Sequence, residues 1–114
     1  MFETGLFDSD RAKDIRREFE AEMDDGVNPY QAGETVLQTQ IKWINDPNEG
    51  PVIFYAIAAL QMEHGVIDQR VRKRALTYIN SGEGLEAWRG APPEKLAARH
   101  HVEQTLRAKL VGMG

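Results

Sequence analysis

Residues 51–65 read PVIFYAIAALQMEHG, and the nine consecutive positions from Val52 to Leu60 are all apolar or aromatic. Proline suits the first turn of a helix and glycine the position just past its end, so the stretch predicts a central helix over 51–64. A helix that is apolar on every side has no face to offer water and must be enclosed by other helices. Nine residues fall well short of the roughly 18 needed to cross a bilayer, so the segment reads as core.

The neighbouring segments supply the enclosing helices. After Phe7, Asp8 reads as an N-cap and Asp10 as a favourable first-turn charge, and Ala12, Ile15, Phe19 and Met23 then recur at helical spacing. This helix ends at Asp24-Asp25-Gly26, and Asn28-Pro29 opens the next as cap and first-turn proline. On the second helix Tyr30, Ala32, Val36, Leu37, Ile41, Trp43 and Ile44 cover a broad arc at 100° per residue. Gly33 and Gln40 fall within that arc, the glycine allowing a close approach and the glutamine requiring hydrogen-bond partners.

The segment 45–50, NDPNEG, is turn chemistry. Beyond Gly65, Asp68 caps a fourth helix with Val71, Ala75, Leu76, Tyr78 and Ile79 inward and Gly82 as its exit. The short connection predicts that this helix lies antiparallel to the central one. A brief turn around Leu85 and Trp88 and the sequence GAPP at 90–93 precede a last helix to about Val111. Its stripe is Ala98, Val102, Leu106 and Leu110, with Leu96 at the margin, narrow enough for a peripheral element over 91–111 or for packing on a second copy. The expectation is an all-α protein, one compact domain over 1–114, with about five helices around a buried central helix.

The chain has 114 residues, no cysteine and a formal net charge of −4. A disulfide framework, a thiolate metal site and a cysteine nucleophile are therefore excluded, and the composition suits a reducing compartment, so a cytoplasmic location is expected. The N-terminus is acidic where a secretory signal needs positive charge. Residues 1–50 carry 12 Asp/Glu against 5 Lys/Arg, and residues 51–114 carry 6 against 9. Either the acidic half presents a surface to a basic partner, or the two halves face each other within the fold or in a homodimer.

Three strings resemble a bacterial family of domains: ETGLFDSDRAKD at the N-terminus, GPVIFYAIAALQ in the centre and VRKRALTYINSGEGLEAW later. Members of that family open with Trp-Gly-Thr-Gly-Ile/Leu-Phe-Asp-x-Asp, carry a Gly-Pro-Val apolar helix and have an Asp-Ser-Gly segment followed by tryptophan. The resemblance spans nearly the whole chain. It implies no activity, because none is established for the family, and it transfers no functional residue. Phe2-Glu3 stands where the family shows tryptophan and glycine, and Asn80 stands in place of the aspartate before Ser81-Gly82.

Candidate chemistry is scattered. Asp8, Asp10 and Asp14 alternate like cation ligands, but the glycine and distal glutamate of a calcium loop are missing, and capping explains the first two. His100 and His101 point about 100° apart on a helix, and there is no HExxH pairing for zinc. Gln61, Glu63 and His64 form a polar cluster at the end of the apolar helix, where a carboxylate at the rim of a core could act as an acid or base. No metal, cofactor or catalytic residue is assigned. Arg70, Lys73 and Arg74 share a face that could contact nucleic acid, although the net acidity and the lack of interleaved aromatics argue against it.

On the first helix, Glu18, Glu20, Glu22, Asp24 and Asp25 accumulate toward the C-terminal end, where the helix dipole disfavours carboxylates. Local stability does not explain that placement, whereas a surface for a protein partner does. The expectation is a non-enzymatic interaction module of regulator, inhibitor or toxin-neutralising type, binding through Glu18, Glu22, Asp24 and Asp25. The alternatives are nucleic-acid contact through Arg70, Lys73 and Arg74, and an enzyme or metal protein with a site near Glu63 and His64.

Overall fold

The computed structural model describes residues 4–113; the departure at Phe2-Glu3 lies outside them. Five α-helices and one 3-10 helix make up the regular structure: α1 Asp10–Asp24, α2 Pro29–Thr39, α3 Glu49–Glu63, α4 Gln69–Ser81, the 3-10 turn Glu83–Trp88, and α5 Pro93–Gly112. Among the described residues there is no strand, and no helix is long and apolar enough to cross a membrane.

α3 is the axis of a compact all-α bundle. Ile53, Phe54, Tyr55, Ala56, Ile57, Ala58 and Leu60 are all buried, and α1, α2, α4, the 3-10 turn and α5 each pack against α3. The core reaches outward through Ile15 and Phe19 of α1, Ala32 and Val36 of α2, and Val71 and Ala75 of α4. α3 and α4 run antiparallel. Tyr78, late in α4, lies against Phe54 and Tyr55, early in α3, while Gln61 near the end of α3 accepts a 3.0 Å bond from the Asp68 backbone just before α4.

Helix ends follow local hydrogen bonding, which shifts two expected boundaries. Ser9, not Asp8, caps α1: its hydroxyl accepts from the Ala12 N–H, while Asp8 folds back to accept a 2.7 Å bond from the Gly5 N–H. α3 starts at Glu49, two residues before Pro51, because the Asp46 carboxylate accepts from the backbone N–H groups of Asn48 and Glu49 and closes a turn that leads directly into the helix. Those two bonds hold the Asp46 carboxyl below its ordinary value. Asn28 and Asp68 cap α2 and α4 as expected, and α4 leaves through Gly82 at φ +83°.

Two faces differ from their periodicity. α2 ends at Thr39, so Ile41 and Trp43 do not continue its inner arc; they are 54% and 44% exposed, and Tyr30 at the start is 47% exposed. Trp43 is covered instead by the Arg11 guanidinium, 4.7 Å from the ring centre, and Arg11 also donates to the buried Gln40 and to Glu49. On α5 the inward residues are Arg99, Glu103, Leu106 and Leu110, while Ala98 is exposed. At 100° per residue the set 99, 103, 106, 110 stays within about 60°, whereas 98, 102, 106, 110 drifts through about 120°. The helix therefore buries the tighter stripe even though half of it is charged.

Candidate functional site

Three regions of the surface and one buried cluster carry the polar chemistry. The acidic end of α1 is the first. Glu18 is partly used inside the fold, accepting a 2.6 Å bond from the Thr39 hydroxyl that ties α1 to the end of α2. Glu20 pairs with Arg16. The carboxylates of Glu22, Asp24 and Asp25 make no hydrogen bond or ion pair among the described residues, and no basic residue occupies the last turn of α1 to offset them.

The basic face of α4 is organised differently. Arg70 donates to Asp68 and Glu34, so one cation lies between two carboxylates and the local charge is negative. Arg74 donates to the Ile44 carbonyl and the Asn45 side chain and packs over Phe54 at 4.8 Å. Arg72 donates to the Leu110 carbonyl at the end of α5. Of the four cations in this run, only Lys73 has no partner among the described residues.

The end of α3 divides its two titratable residues. His64 turns toward α1 and stacks on Phe19 with ring centres 5.9 Å apart. Glu63 faces a cleft of about 670 Å³, where His101 of α5 also lies. The cleft is lined by Leu6 and Phe7 of the N-terminal turn, Ala59 and Met62 of α3, and Val102 and Leu106 of α5. Arg16 holds Glu63 through both carboxylate oxygens, at 3.0 and 2.8 Å, and its guanidinium lies 4.4 Å from the Phe7 ring centre. Lys109 lines the same cleft and has no partner among the described residues.

The buried cluster of Tyr55, Arg99 and Glu103 is not among the residues expected from the sequence to carry a site. Tyr55 of α3 and Glu103 of α5 are 0% and 1% exposed, and the Tyr55 hydroxyl donates a 2.7 Å bond to Glu103 Oε2. Burial pushes both acids above their ordinary values; for Glu103 the Tyr55 bond and the Arg99 charge pull the other way without cancelling it. Gly84 of the 3-10 turn packs so closely that any Cβ there would overlap both the Tyr55 hydroxyl and the Glu103 carboxylate. Arg99, one turn before Glu103, donates to the Thr4 and Gly5 carbonyls and fastens the N-terminal segment to α5. Its Nε is buried without a partner among the described residues. The 4-3-4 spacing of Arg99, Glu103, Leu106 and Leu110 was the available signal.

The cluster locks the fold and has no open face for a substrate. For metal ions, no group of three or more His, Asp or Glu side chains among the described residues is placed to hold one. Asp8 is occupied by the Gly5 N–H and Asp14 pairs with Arg17.

No protein-family model matches the chain, and no curated protein or solved structure matches it either.

Proposed function

We propose that the protein is a non-enzymatic interaction module whose acidic surface at the C-terminal end of α1 docks a basic segment of a protein partner. The observation that carries this reading is the distribution of unpartnered charge. The described carboxylates without an internal partner are Asp10, Glu22, Asp24, Asp25 and Glu94, and three of these fall within four consecutive positions. The arginines are all engaged within the fold, by carboxylates, carbonyls or side-chain amides, and the five lysines, which have no side-chain partner among the described residues, are scattered singly as Lys13, Lys42, Lys73, Lys95 and Lys109, whereas the free acids cluster. A helix C-terminus carries negative partial charge, so acids placed there cost about 0.3–1 kcal/mol each unless something else offsets them. A cationic partner would supply that offset and would be steered in by the same field.

The same pattern weighs against the nucleic-acid alternative, since Arg70 and Arg74 are held internally and leave Lys73 as the free cation of the three. The chain then acts as a small regulator, inhibitor or toxin-neutralising protein would, by occupying a basic surface.

The test is a pull-down comparing wild type with the variant Glu22→Lys/Asp24→Lys/Asp25→Lys, with Asp10→Lys as the charge control. Glu18 stays intact because its bond to Thr39 joins two helices. Partner captured by wild type and the control but lost from the triple variant supports the reading, and equal capture by all three overturns it.

A further inference from the structure

We infer that the cleft between α3, α5 and the N-terminal turn binds a long-chain carboxylate, with the aliphatic chain along the apolar walls and the head group at Lys109. This goes beyond the acidic docking surface and does not depend on it. About 670 Å³ lies within the ordinary range for small-molecule sites. The lining is mainly apolar, with Leu6, Phe7, Ala59, Met62 and Val102 among it. An apolar chain fits such a lining.

The charge at the rim selects its head group. Glu63 is the one carboxylate on the lining, and Arg16 grips both of its oxygens, so it has little attraction left for a cation. Lys109 is the lining cation without an internal partner. The hydroxyl of Thr105, one helical turn before it, adds a hydrogen-bond donor on the same wall. An ammonium and a hydroxyl beside an apolar trough complement a carboxylate, and the ammonium opposes a quaternary ammonium of equal chain length.

The geometry also favours a single chain over a docked helix. The N-terminal wall is not a loose flap: Arg99 holds the Thr4 and Gly5 carbonyls, and Phe7 lies under Arg16. From a head group at Lys109 the α5 wall runs about 10 Å to Val102 at 1.5 Å per residue, which takes about the first eight carbons of an extended fatty acid.

The experiment titrates laurate and dodecyltrimethylammonium, each below its micelle-forming concentration, into the wild type, Lys109→Glu and Thr105→Trp, with circular dichroism showing that each is folded. Thr105 and Lys109 are exposed, so neither change disturbs the core. The wild type is expected to prefer laurate by about tenfold or more, and Lys109→Glu to lose or reverse that preference. Thr105→Trp fills the trough and should weaken both ligands. If neither ligand binds wild type, or Lys109→Glu leaves the preference unchanged, the inference is overturned and the cleft passes to an apolar protein segment or to no ligand.

Discussion

The Tyr55 hydroxyl donates a 2.7 Å hydrogen bond to the Glu103 carboxylate where both side chains are sealed from water, joining the central helix to the last one. A buried carboxylate that loses its donor bears its desolvation uncompensated, about 1–3 kcal/mol. Tyr55→Phe keeps the ring and removes only that donor. The variant should fold and lose stability by that amount in urea denaturation, with little change in the slope, since the surface exposed on unfolding is unchanged. A midpoint equal to wild type would show that the bond contributes nothing.

The same carboxyl makes stability pH-dependent in an unusual direction. Its folded value is raised above the ordinary 4.5, with burial the largest cause. The folded state therefore holds the proton more tightly than the unfolded chain, and stability from this group is complete below about 4.5 and declines as pH rises through the raised folded value. Glu103→Gln removes the titration. The difference in unfolding free energy between Glu103→Gln and wild type should grow as pH is raised from 4.5, whereas a constant difference would place the Glu103 carboxyl at its unfolded value.

How much of this was legible beforehand depended on whether burial followed apolarity. α3 was readable because its run from Val52 to Leu60 leaves no alternative to enclosure, and α4 because Asp68 and Gly82 mark both ends. The end of α2 was not. Ile41 and Trp43 continue its apolar rhythm, yet the backbone turns after Thr39 and the Arg11 guanidinium covers the indole instead of the core. On α5 the apolar letters Ala98 and Val102 drew the stripe away from Arg99 and Glu103, whose burial needs a tyrosine, a glycine and two carbonyls from distant parts of the chain. The cleft is likewise assembled from three segments, so Glu63 was visible as a helix-end acid while its place on one cleft with His101 and Lys109 was not. The acidic run on α1 was legible; that Glu18 is bound to Thr39 while Glu22, Asp24 and Asp25 stay unpartnered required the fold.

Arg99 fastens the N-terminal segment through the Thr4 and Gly5 carbonyls, yet it leaves its own Nε unpartnered in a buried setting. Arg99→Met removes those two bonds and also the positive charge that favours the ionised form of the buried Glu103 carboxyl one turn away. It should therefore loosen the clasp and weaken the whole fold as well, with a global loss of about 1–3 kcal/mol or more. Hydrogen exchange would read the difference: faster exchange over residues 4–8, with protection in α3 lowered only by the global loss. Unchanged exchange over 4–8 would show that the segment is held by Leu6 and Phe7 packing alone.

Gly33 on α2 and Gln61 on α3 give a prediction of sign. Alanine is favoured over glycine inside a helix by about 0.8–1.0 kcal/mol. At Gly33, however, a Cβ would overlap the Gln61 amide nitrogen. That amide cannot swing aside freely, because it donates to the Pro29 carbonyl at 3.2 Å while its oxygen accepts from the Asp68 N–H at 3.0 Å, joining the starts of α2 and α4. Overpacking a fixed neighbour costs about 1–3 kcal/mol, which exceeds the propensity gain. Gly33→Ala should thus destabilise the wild type. In a Gln61→Ala background the obstacle is gone, leaving the 3.3 Å approach of Ile57 Cγ2 as the closest contact, and the same Gly33→Ala change should become neutral or stabilising by up to about 1 kcal/mol. A thermodynamic cycle over the four proteins measures the coupling, and effects that add within about 0.5 kcal/mol would mean that the two residues do not meet.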